Sequence, residues 1–139
     1  MTKHRTSYRV YYEDTDALGI MYHANYIKFC ERGRSELLRH IDLPASTTLE
    51  TIGVQFVIRH MDAHYLGMAK LDNLLNVETC VKSMKNSSFV MTQTITRDTD
   101  TLFSMDITIV CLDKSQKPVK IPDILKQKFM EYIPDATSQ

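Results

Sequence analysis

The residues best suited to chemistry lie close together in residues 11–26, whose sequence is YYEDTDALGIMYHANY. This segment holds three carboxylates, one histidine, four tyrosines and a glycine, and it runs from a loop into the predicted start of a helix near His23. The free N–H groups and the positive macrodipole end at a helix N-terminus polarise a carbonyl or stabilise an oxyanion. A carboxylate a few residues upstream can return over the same point to attack that carbonyl or to activate water. Together, the carboxylate and the helix start form a minimal acyl-transfer site.

The same carboxylates also have a purely structural interpretation, which their spacing leaves open. Aspartates in a DxDxxG pattern commonly form turns, so Asp14, Asp16 and Gly19 can all be explained as turn residues. The DTDALG letters do not complete a calcium loop, because a third oxygen ligand and the distal glutamate are missing.

Other candidate centres are weaker. Cys30 lies on an apolar helix stripe, where a free cysteine usually acts as a small buried hydrophobe rather than a nucleophile. His60 and His64 share one face of a predicted strand, a spacing that leaves a metal pair open without favouring it. The three cysteines form no CxxC pair, and the GxSxG and HExxH patterns are absent. We therefore expect no metal site.

Composition limits the class of protein. A chain of 139 residues predicts one domain over residues 1–139, with its core over about residues 5–133. Lys plus Arg and Asp plus Glu both total 17, so no net charge attracts nucleic acid and a local patch must hold any anionic ligand. No secretory signal is visible, and no stretch approaches the ~20 apolar residues of a membrane-spanning helix. We expect a cytoplasmic protein without a transmembrane segment.

Hydrophobic periodicity predicts the elements that position the carboxylate segment. Residues 8–13 alternate as a strand, and residues 24–41 carry an apolar stripe at helical spacing opposite a charged face. Gly33 lies on that stripe and costs about 1 kcal/mol relative to alanine, which predicts a sheet packed close to the helix backbone. Pro44 ends the helix, and residues 45–53 are expected to form a short helical or irregular connector.

The second half of the chain is predicted to be mostly strands. The β-branched, alternating runs are residues 54–65, 74–84, 89–97 and 101–112. Their short turns predict an antiparallel meander, and residues 123–132 predict a short helix with Asp123 as its N-cap. The natural solution is an α+β domain in which one curved antiparallel sheet wraps around the long helix. Edge strands and an uncovered sheet face favour pairing with a second copy.

Residues 10–39, VYYEDTDALGIMYHANYIKFCERGRSELLR, closely resemble the signature of hotdog-fold acyl-CoA thioesterases of the 4-hydroxybenzoyl-CoA thioesterase type. The resemblance is strongest to the tol-pal-associated bacterial branch, in the EDTD, YH, NY and ERxRxELLR elements. It implies a five-stranded hotdog domain that hydrolyses acyl-CoA without a cofactor. It also implies a homo-oligomer, a dimer or a dimer of dimers, with sites at the dimer interface.

The resemblance also implies roles for individual residues of the loop and helix start. Asp16 matches the catalytic carboxylate, acting as a nucleophile or as a general base for water. His23 matches the position whose backbone N–H faces the thioester carbonyl, and its imidazole is a further substrate contact. Gly19 matches the glycine that lets the loop turn, and Tyr22 and Asn25 belong to the pocket-forming turn.

Contacts to the CoA phosphates must come from basic and hydroxyl side chains. The turn at residues 82–88 supplies Lys82, Lys85, Ser87 and Ser88, and Arg59 is a further candidate on a neighbouring strand. The alternative function is a non-catalytic hotdog protein that binds acyl-CoA or acyl carrier protein within an envelope or phospholipid-synthesis complex. Dehydration of a hydroxyacyl thioester is a third option, but its usual signature is absent.

Overall fold

The computed structural model describes residues 2–134, which form one five-stranded antiparallel sheet with a long helix packed on its concave face. The strands are β1 (His4–Arg9), β2 (Gln55–Tyr65), β3 (Leu74–Met84), β4 (Ser88–Arg97) and β5 (Asp100–Leu112). The helices are α1 (His23–His40), α2 (Thr48–Ile52) and α3 (Asp123–Met130). The predicted α+β architecture with a curved sheet is confirmed.

The sheet order is β1-β3-β4-β5-β2, which corrects the predicted meander of four consecutive strands. Strands β3, β4 and β5 do pair consecutively, but β2 pairs with β5 and forms the far edge of the sheet. Residues 66–73 therefore cross one end of the sheet from β2 to β3. The N–H groups of Leu66 and Gly67 donate to the carbonyl of Leu102 and hold this crossing segment in place.

The first strand was predicted over residues 8–13, but β1 ends at Arg9. The physical reason is a 3-10 turn over Tyr12–Asp14, in which the Asp14 carboxylate accepts a hydrogen bond from the Tyr11 N–H at 2.8 Å. This bond turns the chain out of the sheet and starts the carboxylate loop. At the other end of the chain, Pro122 rather than Asp123 occupies the N-cap position of α3.

The packing of α1 confirms the prediction made from Gly33. A Cβ atom added at this glycine would lie 2.6 Å from the Val77 side chain, so β3 approaches the helix backbone directly. On the same face, Tyr26, Phe29 and Leu37 are buried against the sheet. This close contact holds α1 at one distance from the sheet and so determines where its first turn lies.

Candidate active site

Asp14 links the carboxylate loop to the first turn of α1. Its backbone carbonyl accepts hydrogen bonds from the Tyr22 N–H at 2.9 Å and from the buried Asn25 side-chain amide at 2.8 Å. Its carboxylate accepts a hydrogen bond from the Tyr11 N–H. Asn25, predicted to bind substrate, therefore positions the loop against the helix.

Asp16 lies at the tip of this loop and remains partly exposed. Its N–H donates to the Ile20 carbonyl, and its own carbonyl accepts from the Gly19 N–H at 3.0 Å. Gly19 adopts a φ of +78°, a left-handed conformation that favours glycine, as the resemblance implied. The Leu18 N–H donates to Asp16 Oδ1 at 2.8 Å, so the carboxylate is oriented while Oδ2 has no donor within residues 2–134.

The start of α1 presents free backbone donors beside this loop. Tyr22 occupies the N-cap position without supplying a side-chain cap, and within residues 2–134 no group accepts a hydrogen bond from the His23 N–H. The exposed rings of Tyr22 and His23 lie 4.5 Å apart between their centroids. A carbonyl placed here would meet an uncapped helix N-terminus and an aromatic wall.

The crossing segment at residues 66–73 forms hydrogen bonds with the first turn of α1 and with the residues just before it. The Met21 N–H donates to the Ala69 carbonyl at 2.8 Å, and the Ala69 N–H donates to the Tyr26 hydroxyl at 2.9 Å. The Tyr65 hydroxyl donates to the His23 carbonyl at 2.7 Å, and partial burial raises the pKa of Tyr65. Sequence reasoning missed Tyr65 because only the correct sheet order brings the end of β2 to the helix start.

Three of the residues predicted to contact phosphate come together at the β3–β4 hairpin. Arg59, Lys85 and Ser88 line a cavity of about 70 Å³ that also includes Thr108. Neither Arg59 nor Lys85 has a carboxylate in ion-pair contact within the part of the chain that the structure describes. The cavity therefore combines two unpaired positive charges with hydroxyl groups.

The other two residues predicted to contact phosphate, Lys82 and Ser87, do not line this cavity. Lys82 Nζ forms an ion pair with Asp106 at 2.7 Å. The Ser87 carbonyl accepts a hydrogen bond from the Cys111 N–H, which extends the pairing between β4 and β5 by one residue.

A cavity of about 260 Å³ lies between the second half of α1 and β2, β4 and β5. Its apolar lining is Leu38, Ala45, Phe56, Ile58, Phe89, Met91 and Ile109, and its polar lining is Glu31, Arg34 and Ser35. Glu31 comes eight residues after His23, which is about 12 Å along the helix axis. This cavity is therefore separate from the Asp16–His23 site of the same protomer.

The remaining candidate groups have a structural explanation. Cys30, Cys80 and Cys111 are buried and free, and burial raises the pKa of Cys30 to about 12, which disfavours the thiolate that a nucleophile needs. His64 contacts Asp62 rather than His60. No cluster of three or more metal-ligating side chains occurs among residues 2–134, and no helix there is long and apolar enough to cross a membrane.

A sheet wrapped around one long helix, with a carboxylate loop at the helix start, defines a hotdog-fold protein. The chain belongs to the Thioesterase-like superfamily, whose sequence profile matches residues 10–129. It is 39% identical over 132 residues to the acyl-CoA thioester hydrolase YbgC of Escherichia coli O6:H1, covering 94% of this chain and 98% of that protein.

Solved structures agree with this assignment. A probable thioesterase from Bartonella henselae superposes with a TM-score of 0.82 at 33% identity, covering 86% of this chain and 99% of the other. A 4-hydroxybenzoyl-CoA thioesterase superposes with a TM-score of 0.85 at 19% identity, covering 93% of this chain and 99% of that one, which supports the fold. The resemblance to acyl-CoA thioesterases drawn from the sequence is confirmed.

Proposed function

We propose that this chain is an acyl-CoA thioesterase in which the Asp16 carboxylate acts on the thioester carbonyl held at the His23 N–H. The observation that supports the proposal is the linkage through Asp14, whose carbonyl joins the loop that carries the oriented Asp16 carboxylate to the uncapped start of α1. The family and the YbgC relative, described as an acyl-CoA thioester hydrolase, support this activity.

The proposed reaction depends on stabilising the negative charge that develops on the thioester carbonyl oxygen. Attack on the carbonyl carbon moves negative charge onto its oxygen, where the His23 N–H and the helix dipole stabilise it. If Asp16 is the base, it takes a proton from water, hydroxide adds to the carbonyl, and the C–S bond breaks to release CoA as the thiolate, which takes up a proton. If Asp16 is the nucleophile, its carboxylate adds to the carbonyl carbon, and the C–S bond breaks to release CoA as the thiolate. Water then hydrolyses the mixed anhydride to the acid and the free Asp16 carboxylate, and a proton from that water neutralises the thiolate. Both routes consume one water and yield the acid and CoA.

A second copy would complete the acyl-binding region. Strand β2 is an edge strand with three large apolar side chains, Val57, Ile58 and Met61, that are 44%, 46% and 43% exposed. Exposed apolar edges favour strand pairing. An isologous antiparallel pairing centred on His60 would set Tyr65 of one protomer opposite the partner's Gln55. The Asp16–His23 site would then face the partner's 260 Å³ cavity, which suits an acyl chain.

The CoA nucleotide would lie on the cavity at the β3–β4 hairpin. Arg59 and Lys85 provide charge for the phosphates, and Ser88 provides a hydroxyl donor. Lys82 and Ser87 remain proposed contributors, with Lys82 secondary because it is paired with Asp106.

The cellular setting is also part of the proposal. A cytoplasmic enzyme of lipid metabolism, working as a homodimer or as a homotetramer built from two dimers, fits the family resemblance. Its thioester is carried on CoA or on acyl carrier protein. The tol-pal-associated branch that the sequence resembles supports work at the periphery of the inner membrane.

The decisive experiment measures thiol release from short-chain, long-chain and aromatic acyl-CoAs by the wild type, Asp16→Asn and Asp16→Ala. We expect both variants to lose on the order of 10²- to 10⁴-fold in kcat/KM while binding acyl-CoA normally. Asp98→Asn, in the exposed β4–β5 turn, is the matched control and should retain full activity. Near-wild-type rates in the Asp16 variants would contradict the proposed role. Tight acyl-CoA binding by the wild type without thiol release would favour the non-catalytic alternative.

A further inference from the structure

Arg34 is a buried cation that the thioester chemistry does not use. Its side chain lies in the middle of α1, the residue is only 9% exposed, and within residues 2–134 no carboxylate is in ion-pair contact with it. Its Nη1 donates to Gln93 Oε1 at 2.9 Å. Since a guanidinium carries five N–H donors, most of them remain for another acceptor.

The Gln93 side chain holds the guanidinium in a defined place. Gln93 is fully buried, and its Nε2 donates to the Cys30 carbonyl at 2.8 Å and to Thr79 Oγ1 at 3.0 Å. These bonds use both amide hydrogens, so Oε1 points at Arg34 and cannot exchange places with the amide nitrogen. Arg34 is thus anchored on one side by a buried network and faces the 260 Å³ cavity on the other.

The polar lining of this cavity is concentrated on one helix face. Glu31 and Arg34 are one helical turn apart, and Ser35 follows directly, while the rest of the lining is apolar. A hydrocarbon chain filling the cavity would cover the Arg34 donors without supplying an acceptor, which is unfavourable. A full carboxylate would satisfy Arg34 but would meet the like charge of Glu31. A hydroxyl group can accept from Arg34 and donate to Glu31 together.

We infer that this cavity selects acyl groups with a hydroxyl at or near the distal end, recognised by Arg34 and Glu31. The inference rests on the proposed thioesterase function and on the proposed dimer, in which the acyl group bound at one protomer's site enters the other protomer's cavity, and it adds the substrate class. Arg34 and Glu31 act here as specificity-determining residues distant from the reacting carbonyl.

The test compares matched acyl-CoA pairs of six, eight and ten carbons, with and without an ω-hydroxyl group. For the chain length that reaches Arg34, we expect the wild type to favour the hydroxylated member on the order of tenfold in kcat/KM. Arg34→Met should bring this ratio close to one. The double variant Arg34→Met/Gln93→Leu removes both partners of the hydrogen bond and provides a folded comparison if the single variant is unstable.

Two further variants separate recognition from packing. Glu31→Ala, at an exposed position, should lower the preference for the hydroxylated substrate. Leu38→Ala should lower kcat/KM equally for both acyl-CoAs of a matched pair, because it only enlarges the cavity. A ratio near one in the wild type at every length, or one unchanged in the Arg34 and Glu31 variants, would overturn the inference.

A failure of the proposed function is distinguishable from a failure of this inference. If the wild type hydrolyses no acyl-CoA, the thioesterase proposal fails. Calorimetric binding of ω-hydroxy fatty acids and plain fatty acids to the wild type and Arg34→Met then tests the cavity independently. Equal binding of the two acids by the wild type would overturn the recognition of the hydroxyl.

Discussion

The Tyr65 hydroxyl donates a 2.7 Å hydrogen bond to the backbone carbonyl of His23, and so joins the last residue of β2 to the first residue of α1. The Tyr65 ring also packs edge-on against Tyr26 and Phe103, at centroid distances of 5.4 and 5.0 Å. The residue proposed to bind the oxyanion is thus attached to the edge strand proposed to form the dimer. The hydroxyl and the ring of Tyr65 therefore both connect this edge strand to the helix start.

Tyr65→Phe should lower kcat several-fold with little change in KM, because the phenyl ring keeps its packing and only the bond that orients His23 is lost. The expected cost is about 1 kcal/mol, the usual contribution of such a hydrogen bond. Steady-state kinetics with an acyl-CoA substrate measures it. Tyr12→Phe is the control, since that side chain is 81% exposed and donates no hydrogen bond within residues 2–134. Equal kcat values for Tyr65→Phe and the wild type would exclude the positioning role.

Arg59→Ala and Lys85→Ala should each raise KM for acyl-CoA about tenfold, because each removes a charge-assisted contact to phosphate. The effect should disappear with an acyl thioester of N-acetylcysteamine, which lacks the nucleotide. Lys82→Ala should have a smaller effect, since Lys82 is paired with Asp106. Lys126→Ala, on the exposed face of α3, serves as the control. If both substrates respond equally to Arg59→Ala and Lys85→Ala, the cavity does not bind the nucleotide.

Met61→Lys should convert the protein to monomers and reduce thiol release, because it places a charge in the middle of the exposed apolar edge of β2. Light scattering coupled to gel filtration measures the mass, and thiol release measures activity on the same fractions. Met130→Lys, at a 58% exposed position on α3, is the matched control. An unchanged assembly in Met61→Lys would mean that another surface forms the oligomer.

Gly33→Ala should destabilise the fold by about 1–3 kcal/mol, the usual cost of overpacking, even though alanine favours a helix by about 1 kcal/mol. The cause is the 2.6 Å approach of the added Cβ to the Val77 side chain. Urea unfolding measures the loss. The double variant Gly33→Ala/Val77→Ala should recover part of it, and simple addition of the two single effects would argue against direct contact.

Local patterns were enough to predict most elements. The helix predicted over residues 24–41 is His23–His40, and the strand predicted over residues 74–84 is β3. Both have a regular period, which depends on neighbouring residues alone. The 3-10 turn that ends β1 was missed because it depends on a single hydrogen bond to Asp14, which leaves no periodic signal.

The sequence by itself determined the carboxylate loop, the helix behind it and the family, because these belong to one continuous segment of residue types and spacings. Only the tertiary structure decided that β2 lies beside β5, that Tyr65 supports His23, and that Gln93 orients Arg34 toward a cavity. The last two contacts join residues 42 and 59 positions apart in the chain. Such pairings depend on how the whole sheet closes around the helix, which local periodicity does not encode.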